Sequence, residues 1–480
     1  MDGSSIRLRL LKSLNLTSKV FLESKRNALA RLIAANAHLP AQGTEEWLDL
    51  RRFNIGGSEI GVLTGDNKFS NLKKLVAGKV GLCSFKGIMA TRWGKAFEKV
   101  TTILMQQILE IDGGIQETSS IEGGIPNHRY SPDGLAVAKM LCGGVVDGEY
   151  IETKEYVTVL FEFKSPYSSI PDGTVPKCYM PQVLAGLGSI PIADFGLFVN
   201  NMYRKCSMAQ FRADATYDTA FHNKDAEKFV LRNPAAMGFI IVYMSRETHA
   251  KFLESRGDDL GTNGGETDNS DADNSDADDT DMSHINYAQM KSAGPPDLTQ
   301  TILTKADKIH IDFGKSSYFE FDSLLTMYDN KLIDFHYCEP MVIPEEMNKI
   351  PFIGRQENVF GEMASISDYK RKISDGLTDE LANYDCAKII GYIPYKLFNS
   401  DIIVVDRDPE FLAKCNAKVQ ETISVVRKIV GEDEGEDLPQ IHDRFRRYYP
   451  HKNDYVDREI DAALASALNE GPRPDMIPTY

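Results

Sequence analysis

The chain has 480 residues, 42% of them hydrophobic, and a formal net charge of −16. That is enough apolar material for a sizeable core, and it excludes a disordered or collagen-like polymer. The seven cysteines, Cys83, Cys142, Cys178, Cys206, Cys338, Cys386 and Cys415, are scattered and never spaced as C-x-x-C. This argues against a disulfide framework or structural zinc and leads to the expectation of a reducing, intracellular compartment.

No run approaches the roughly 18 apolar residues of a membrane span. Ile6 to Leu16 is broken by Arg7, Arg9 and Lys12 without a small-residue cleavage site, so neither a membrane nor a secretory route is expected. The charge is uneven. Ten acids fall between Gly257 and His284, a stretch without Lys or Arg that reads DNSDA twice over Asp268–Ala277. Such a segment buries too little apolar surface to offset its chain entropy, and it reads as a disordered loop that separates two domains or interrupts one. The rest of the chain is only mildly acidic, which leaves room for a local basic groove facing phosphate.

Residues 2–40 read as helical, with Leu10, Leu11, Leu14, Leu29, Leu32 and Ile33 among basic side chains. They form either a solvated basic face or a DNA-contacting arm. Thr44 is set to cap a helix with Glu45 and Glu46 in its first turn and Arg51 and Arg52 at its end, matching the dipole. Gly56-Gly57-Ser58 opens a second short helix, which Gly65 closes. Trp93–Glu110 is a longer helix with an apolar stripe of Trp93, Phe97, Val100, Ile103, Leu104 and Ile108. Tyr130–Val137, Tyr156–Phe163 and Phe195–Val199 read as strands, and Pro181–Gly188 as a short helix with proline at its start. After the acidic stretch, Phe335–Cys338 and Ile402–Val405 read as strands and Phe411–Val430 as an amphipathic helix. Helices, then a mixed sheet, then helices indicate an α/β or α+β domain.

Ser131-Pro132-Asp133-Gly134 followed by Glu162-Phe163-Lys164 carries the chemistry. Strand alternation puts Glu162 and Lys164 on one face, with Phe161 and Phe163 on the other. Two carboxylates and an ammonium at the ends of neighbouring strands suit Mg²⁺, which takes carboxylate oxygens, keeps several waters and polarises a phosphodiester. The lysine can orient or deprotonate the attacking water or stabilise charge on phosphorus. Glu-x-Lys alone is far more often an ordinary surface ion pair.

The flanking words are more particular: EEWLDLRRFNIGGSEIG (45–61), RWGKAFE (92–98), SPDGL (131–135), FEFKSP (161–166) and YMPQVLAG (179–186), in that order. Together they resemble the lambda-exonuclease-like family, also called YqaJ-like viral recombinases or alkaline exonucleases, within the PD-(D/E)XK nuclease superfamily. GYIPYKLF (391–398) looks like the family's late block, with Tyr395 where a Trp is more usual. The resemblance implies a restriction-endonuclease-like core with a central mixed sheet flanked by helices. It implies that Asp133 and Glu162 bind metal together with the Phe163 carbonyl, that Lys164 is the catalytic lysine, and that Glu98 binds a second metal or its water. Gln182, on one helical face with Tyr179, matches the motif glutamine that contacts the water, the lysine or the phosphate. Its bland alternative is a capping or packing role. Arg51 and Ser58 match contacts to a 5′-phosphate, and Tyr179 is implied as a further contact to the DNA. A helix N-terminus and a guanidinium fork are physically apt for that anion, although Arg52 can stand in for Arg51, and Glu59 is a weaker candidate.

These matches lead to the expectation of a Mg²⁺-dependent exonuclease, with Mn²⁺ as a substitute and two ions per site, resecting duplex DNA ends 5′ to 3′ in viral or phage recombination. A structure-specific endonuclease, or an inactive DNA-binding recombination protein, is the alternative. An annealing partner and a homotrimer are further implications, with host cytoplasm or nucleus as location. The expected organisation is a basic helical segment at 1–39, a nuclease domain at 40–430 interrupted at about 255–295, and a charged tail at 431–480. Arg444, Arg446, Arg447, Tyr448 and Tyr449 then belong to a solvated tail or contact DNA. The long stretch between SPDGL and FEFK reads as an extra hairpin, where Asp147 or Glu149 can be mistaken for a ligand.

Overall fold

The computed structural model describes residues 18–40, 44–83, 87–146, 149–206, 234–245, 321–350, 387–431, 438–450 and 452–470, with single positions 211, 248 and 369. The acidic stretch 257–284 and Asp147 lie outside the described residues. The elements in chain order are α1 (Ser18–Asn36), α2 (Glu45–Arg52), β1 (Ile55–Gly56), α3 (Gly57–Thr64), α4 (Leu72–Lys79), α5 (Met89–Ile108), β2 (Glu110–Gln116), β3 (Ile121–Glu122), β4 (His128–Tyr130), β5 (Gly134–Val146) and β6 (Glu149–Lys164). They continue with α6 (Met180–Ser189), β7 (Phe195–Lys205), β8 (Ala236–Ser245), α7 (Phe321–Asp329), β9 (Asp334–Tyr337), β10 (Met341–Val342), α8 (Pro344–Met347), β11 (Ala387–Val405), α9 (Phe411–Val430), α10 (Leu438–Tyr448) and α11 (Tyr455–Glu470).

An eight-stranded mixed sheet, in the order β10-β8-β11-β7-β6-β5-β2 with β9 beside β8, forms the centre. β6 and β7 run parallel and α6 lies between them in sequence, so this βαβ unit carries the Glu-x-Lys strand. The stripe of α5 buries Trp93, Phe97, Val100, Leu104 and Ile108 on one face of the sheet, against Val159, Phe161, Phe163 and Leu197. On the other face Leu29 of α1 and Val183 and Leu187 of α6 pack with Leu135, Leu160 and Phe198. The late-block Tyr395 is fully buried, edge-on to Phe97 at 5.5 Å and to Tyr203 at 5.6 Å, so its role is packing.

Thr44 caps α2 by accepting the Trp47 N–H at 3.3 Å, as its position before two glutamates predicts. Thr44→Ala should lower the unfolding free energy by about 1 kcal/mol in urea titration. An unchanged midpoint would mean that tertiary contacts alone hold α2.

Several sequence expectations need correction. Tyr130–Val137 is not one strand. The chain breaks at Ser131-Pro132-Asp133, leaving β4 in a separate three-stranded sheet (β1-β4-β3) and starting β5 at Gly134. Pro132 has no N–H for a ladder, and the Asp133 side chain is engaged across to β6. The long helix ends at Ile108, and Glu110 opens β2. β11 extends far beyond Ile402–Val405. It runs through Pro394, whose carbonyl still accepts the Cys206 N–H at 3.0 Å, and register shifts at Ile389/Gly391 and Leu397/Asn399 absorb the irregularity.

The basic α1 is not a free arm over its described length. Lys25 pairs with Asp194 at 2.5 Å and Arg26 with Asp112. Nor are the described residues of 431–480 simply a charged tail. α10 and α11 bury Ile441, Phe445, Val456 and Ile460 against Val76, Val80 and Leu82, while Arg444 and Arg446 engage neighbouring carbonyls and carboxylates. Their apolar residues recur at helical spacing, a signal masked by the surrounding charge.

Candidate active site

The β5–β6 hairpin pairs Gly134 with Phe161, which sets Asp133 beside the end of β6. Asp133 Oδ2 accepts the Phe163 N–H at 2.7 Å. Glu162 is fully buried. One of its oxygens takes the Lys164 ammonium, and Oε2 takes the Tyr130 hydroxyl proton at 2.8 Å. Alternation thus does what the sequence implies: Glu162 and Lys164 meet on one face while Phe161 and Phe163 enter the opposite core.

Burial, and then the charge of Glu162, push the Asp133 carboxyl well above the usual range, against the pull of Lys164. Burial alone would lower Lys164, but Glu162 and Asp133 outweigh it and raise the ammonium above its ordinary value. The lysine therefore stays protonated at neutral pH in this arrangement, suited to orienting water or balancing charge on a phosphate rather than to abstracting a proton.

Glu98 projects from α5 toward the same end. Its side chain is exposed, yet partial desolvation and the repulsion of Glu162 raise its pKa, while Lys164 pulls it down. Tyr179, just before α6, lies under the Lys164 ammonium at 5.2 Å from its ring centre and stacks on Phe198. Gln182 is half-buried on the first turn of α6, its N–H bonded to the Tyr179 carbonyl at 3.0 Å. Among the described residues, no three His, Cys, Asp or Glu side chains converge on one point. Glu98 therefore does not close a three-carboxylate cage with Asp133 and Glu162.

A second cluster lies where α2 turns into α3. Gly56 caps α3, so the first-turn N–H groups of Gly57 and Ser58 have no helical acceptor, and Ser58 is exposed. Of the two arginines, Arg51 faces this terminus. Its Nη2 donates to Glu59 Oε1 at 3.1 Å, and its guanidinium lies 4.7 Å from the Trp47 ring centre. Arg52 instead lies over Phe53. Glu59 also accepts the Gly56 N–H at 2.7 Å and the Lys79 ammonium at 2.8 Å. Burial opposes its charge, but Lys79 and Arg51 prevail and lower its pKa to about 2. A Cβ at Gly56 would stand 3.2 Å from Arg51 Nη2, so any larger residue there would crowd the guanidinium.

Sequence reasoning misses three contributors. Tyr130 reads only as a strand residue, although it immediately precedes SPDGL. Lys79 gives all three ammonium donors, to Glu59 and to the carbonyls of Arg51 and Asn54 at 2.9 and 2.7 Å, from a helix that carries no motif. Trp47 donates to Ser120 Oγ at 3.0 Å, and Ser120 shares a 3.0 Å hydrogen bond with Ser131. The tryptophan falls inside one of the family words, but nothing in the sequence pairs it with Ser120.

Residues 46–189 match the model of the YqaJ-like viral recombinase domain. The chain is similar to a protein of African swine fever virus, with 28% identity over 221 residues for strain Badajoz 1971 Vero-adapted and for isolate Tick/Malawi/Lil 20-1/1983. The similar stretch spans 43% of this chain and 62% of those relatives. Among solved structures, an alkaline exonuclease (LHK-Exo) from Laribacter hongkongensis aligns at 18% identity and a TM-score of 0.24, over 33% of this chain and 74% of that one.

Proposed function

We propose that the chain, whose residues 46–189 match the YqaJ-like viral recombinase domain, is a metal-dependent deoxyribonuclease that resects duplex DNA from 5′ ends. The observation that carries this reading is the convergence of Asp133, Glu162 and Lys164 at the ends of β5 and β6. Two crowded carboxylates, one of them held protonation-prone by burial and by the charge of the other, form a donor set that a divalent cation would relieve.

Asp133, Glu162 and the Phe163 carbonyl would hold Mg²⁺, or Mn²⁺ in its stead, with Glu98 reaching a second ion through water. A two-carboxylate set completed by backbone oxygen and water is the habit of Mg²⁺. When bound, the metal supplies polarisation of the phosphodiester and a more acidic water. Lys164 then balances charge developing on the phosphate, and its place over Tyr179 keeps it beside the α6 terminus. Gln182 on that turn is set to hydrogen-bond the water or the phosphate.

End recognition falls to the N–H groups of Gly57 and Ser58, the Ser58 hydroxyl and Arg51. A terminal phosphate carries more charge than an internal one and fills such a helix-terminus pocket better. Arg51→Ala should slow digestion of 5′-phosphorylated ends by about one to two orders of magnitude, the worth of one charge-assisted contact. The same change should affect 5′-hydroxyl ends only slightly. The central experiment digests a linear 5′-phosphorylated duplex and a closed circle, each with and without Mg²⁺. Loss of the linear duplex only, and only with metal, is expected. Equal nicking of the circle would replace exonuclease by endonuclease.

A further inference from the structure

The two clusters are joined through the protein interior. Tyr130 is almost fully buried, and its ring lies between the first turn of α3 and the middle of α6. A Cβ at Gly57 would stand 2.3 Å from its Cδ2, and one at Gly186 would stand 2.4 Å from its Cζ. Both glycines are therefore required by this one ring, and the slot they make leads its hydroxyl to Glu162 Oε2. Gly57 is the residue whose N–H faces the proposed end phosphate.

The strand that carries Tyr130 is tied to the same terminus. β4 pairs in parallel with β1, Ile55 with His128 and Gly56 with Arg129, and β1 runs directly into α3. Burial lowers the His128 pKa to about 4, so the ring is neutral at pH 7, and its Nδ1–H donates to the Ile55 carbonyl at 2.8 Å. On the other side, Trp47 beneath Arg51 reaches Ser131 through Ser120. Residues 130 and 131 are thus both held from the anion pocket, immediately before Asp133. Close-packed interiors transmit a displacement instead of absorbing it.

We infer that Tyr130 is a positioning residue that couples occupancy of the Gly57–Ser58 pocket to the setting of Glu162, so that a 5′-phosphate acts on turnover and not only on binding. The inference rests on the exonuclease reading for its substrate, but the coupling itself is a property of this chain. If Tyr130 were only filler, its hydroxyl would be dispensable to that coupling, since the ring fills the slot.

The test compares wild type with Tyr130→Phe, which keeps the ring and removes the hydroxyl. For wild type, kcat on a 5′-phosphorylated duplex should exceed kcat on a 5′-hydroxyl duplex. In Tyr130→Phe that kcat advantage should shrink about tenfold, while the KM advantage, which belongs to Arg51 and Ser58, persists. A second measurement needs no turnover. Calorimetric titration of Mn²⁺ should show tighter binding with inorganic phosphate present than without it in wild type, and little difference in Tyr130→Phe, because coupling between two sites is reciprocal. Retention of both the kcat advantage and the Mn²⁺ tightening in Tyr130→Phe would overturn the inference, as would a wild type whose Mn²⁺ affinity ignores phosphate. A wild type that cleaves neither duplex but shows the Mn²⁺ coupling would sink the exonuclease reading and leave the coupling standing.

Discussion

Lys164→Ala and Glu162→Gln should each reduce duplex-end cleavage by about three orders of magnitude or more, the scale lost when a preorganised charge is removed from a water-poor site. Glu162→Gln is the cleaner change. The amide keeps the volume of the fully buried side chain and can still accept from Tyr130, so the fold has little reason to move. What it loses is the negative charge that holds Lys164 and that a cation would require. Asp133→Ala should be equally inactive but less stable, because it also removes the acceptor of the Phe163 N–H on β6. Circular dichroism should show Glu162→Gln melting near wild type and Asp133→Ala lower. Near-wild-type turnover in Lys164→Ala, on protein free of host nuclease, would take the lysine out of the mechanism.

What the sequence discloses about this site follows the range of the interactions. Glu162 and Lys164 are two residues apart on one strand, so period-two alternation alone puts them together. Gly57 and Ser58 sit at a helix start that glycines and a following apolar run announce. Arg51 over Arg52 is a different matter. The choice is made by Glu59 and Trp47, whose positions depend on how α2 meets α3. Lys79 and Tyr130 act from separate elements, and their partners are fixed only by tertiary packing. The same limit explains β8, a nearly continuous apolar run buried in the sheet, without the alternation that marks a half-exposed strand. β11 instead interleaves Lys396, Asn399, Ser400 and Asp401 with its apolar residues and crosses Pro394, so no single period announces it. The paired carboxylate strand is legible, then, whereas the lattice that holds it is not.

Lys79→Met should cost about 3–5 kcal/mol of stability, the usual result of stripping one partner from a buried ion pair. The Lys79 side chain is 2% exposed, and its three protons are all bonded inside the protein. Methionine fills similar space but leaves the Glu59 carboxylate facing one cation instead of two, and it takes a donor from the Asn54 carbonyl and from the Arg51 carbonyl, which keeps the Asn54 N–H at 3.3 Å. Glu59→Gln in the same chain should recover part of the loss, since no buried charge then lacks its partner. Acidification gives an independent check. The Glu59 pKa falls from 4.5 in the unfolded chain to about 2 in the fold, so its contribution is complete above 4.5 and disappears as pH drops through about 2. Taken alone that shift corresponds to ~3 kcal/mol. The net worth of the pair is smaller, because burial holds Lys79 below its ordinary value and so opposes folding at neutral pH. Urea titrations between pH 5 and pH 2 should therefore show wild type losing stability that Glu59→Gln never had, and the two curves should converge toward the acid end. Parallel curves across that window would mean that Glu59 keeps its charge equally well unfolded, and that its ion pairs add no net stability.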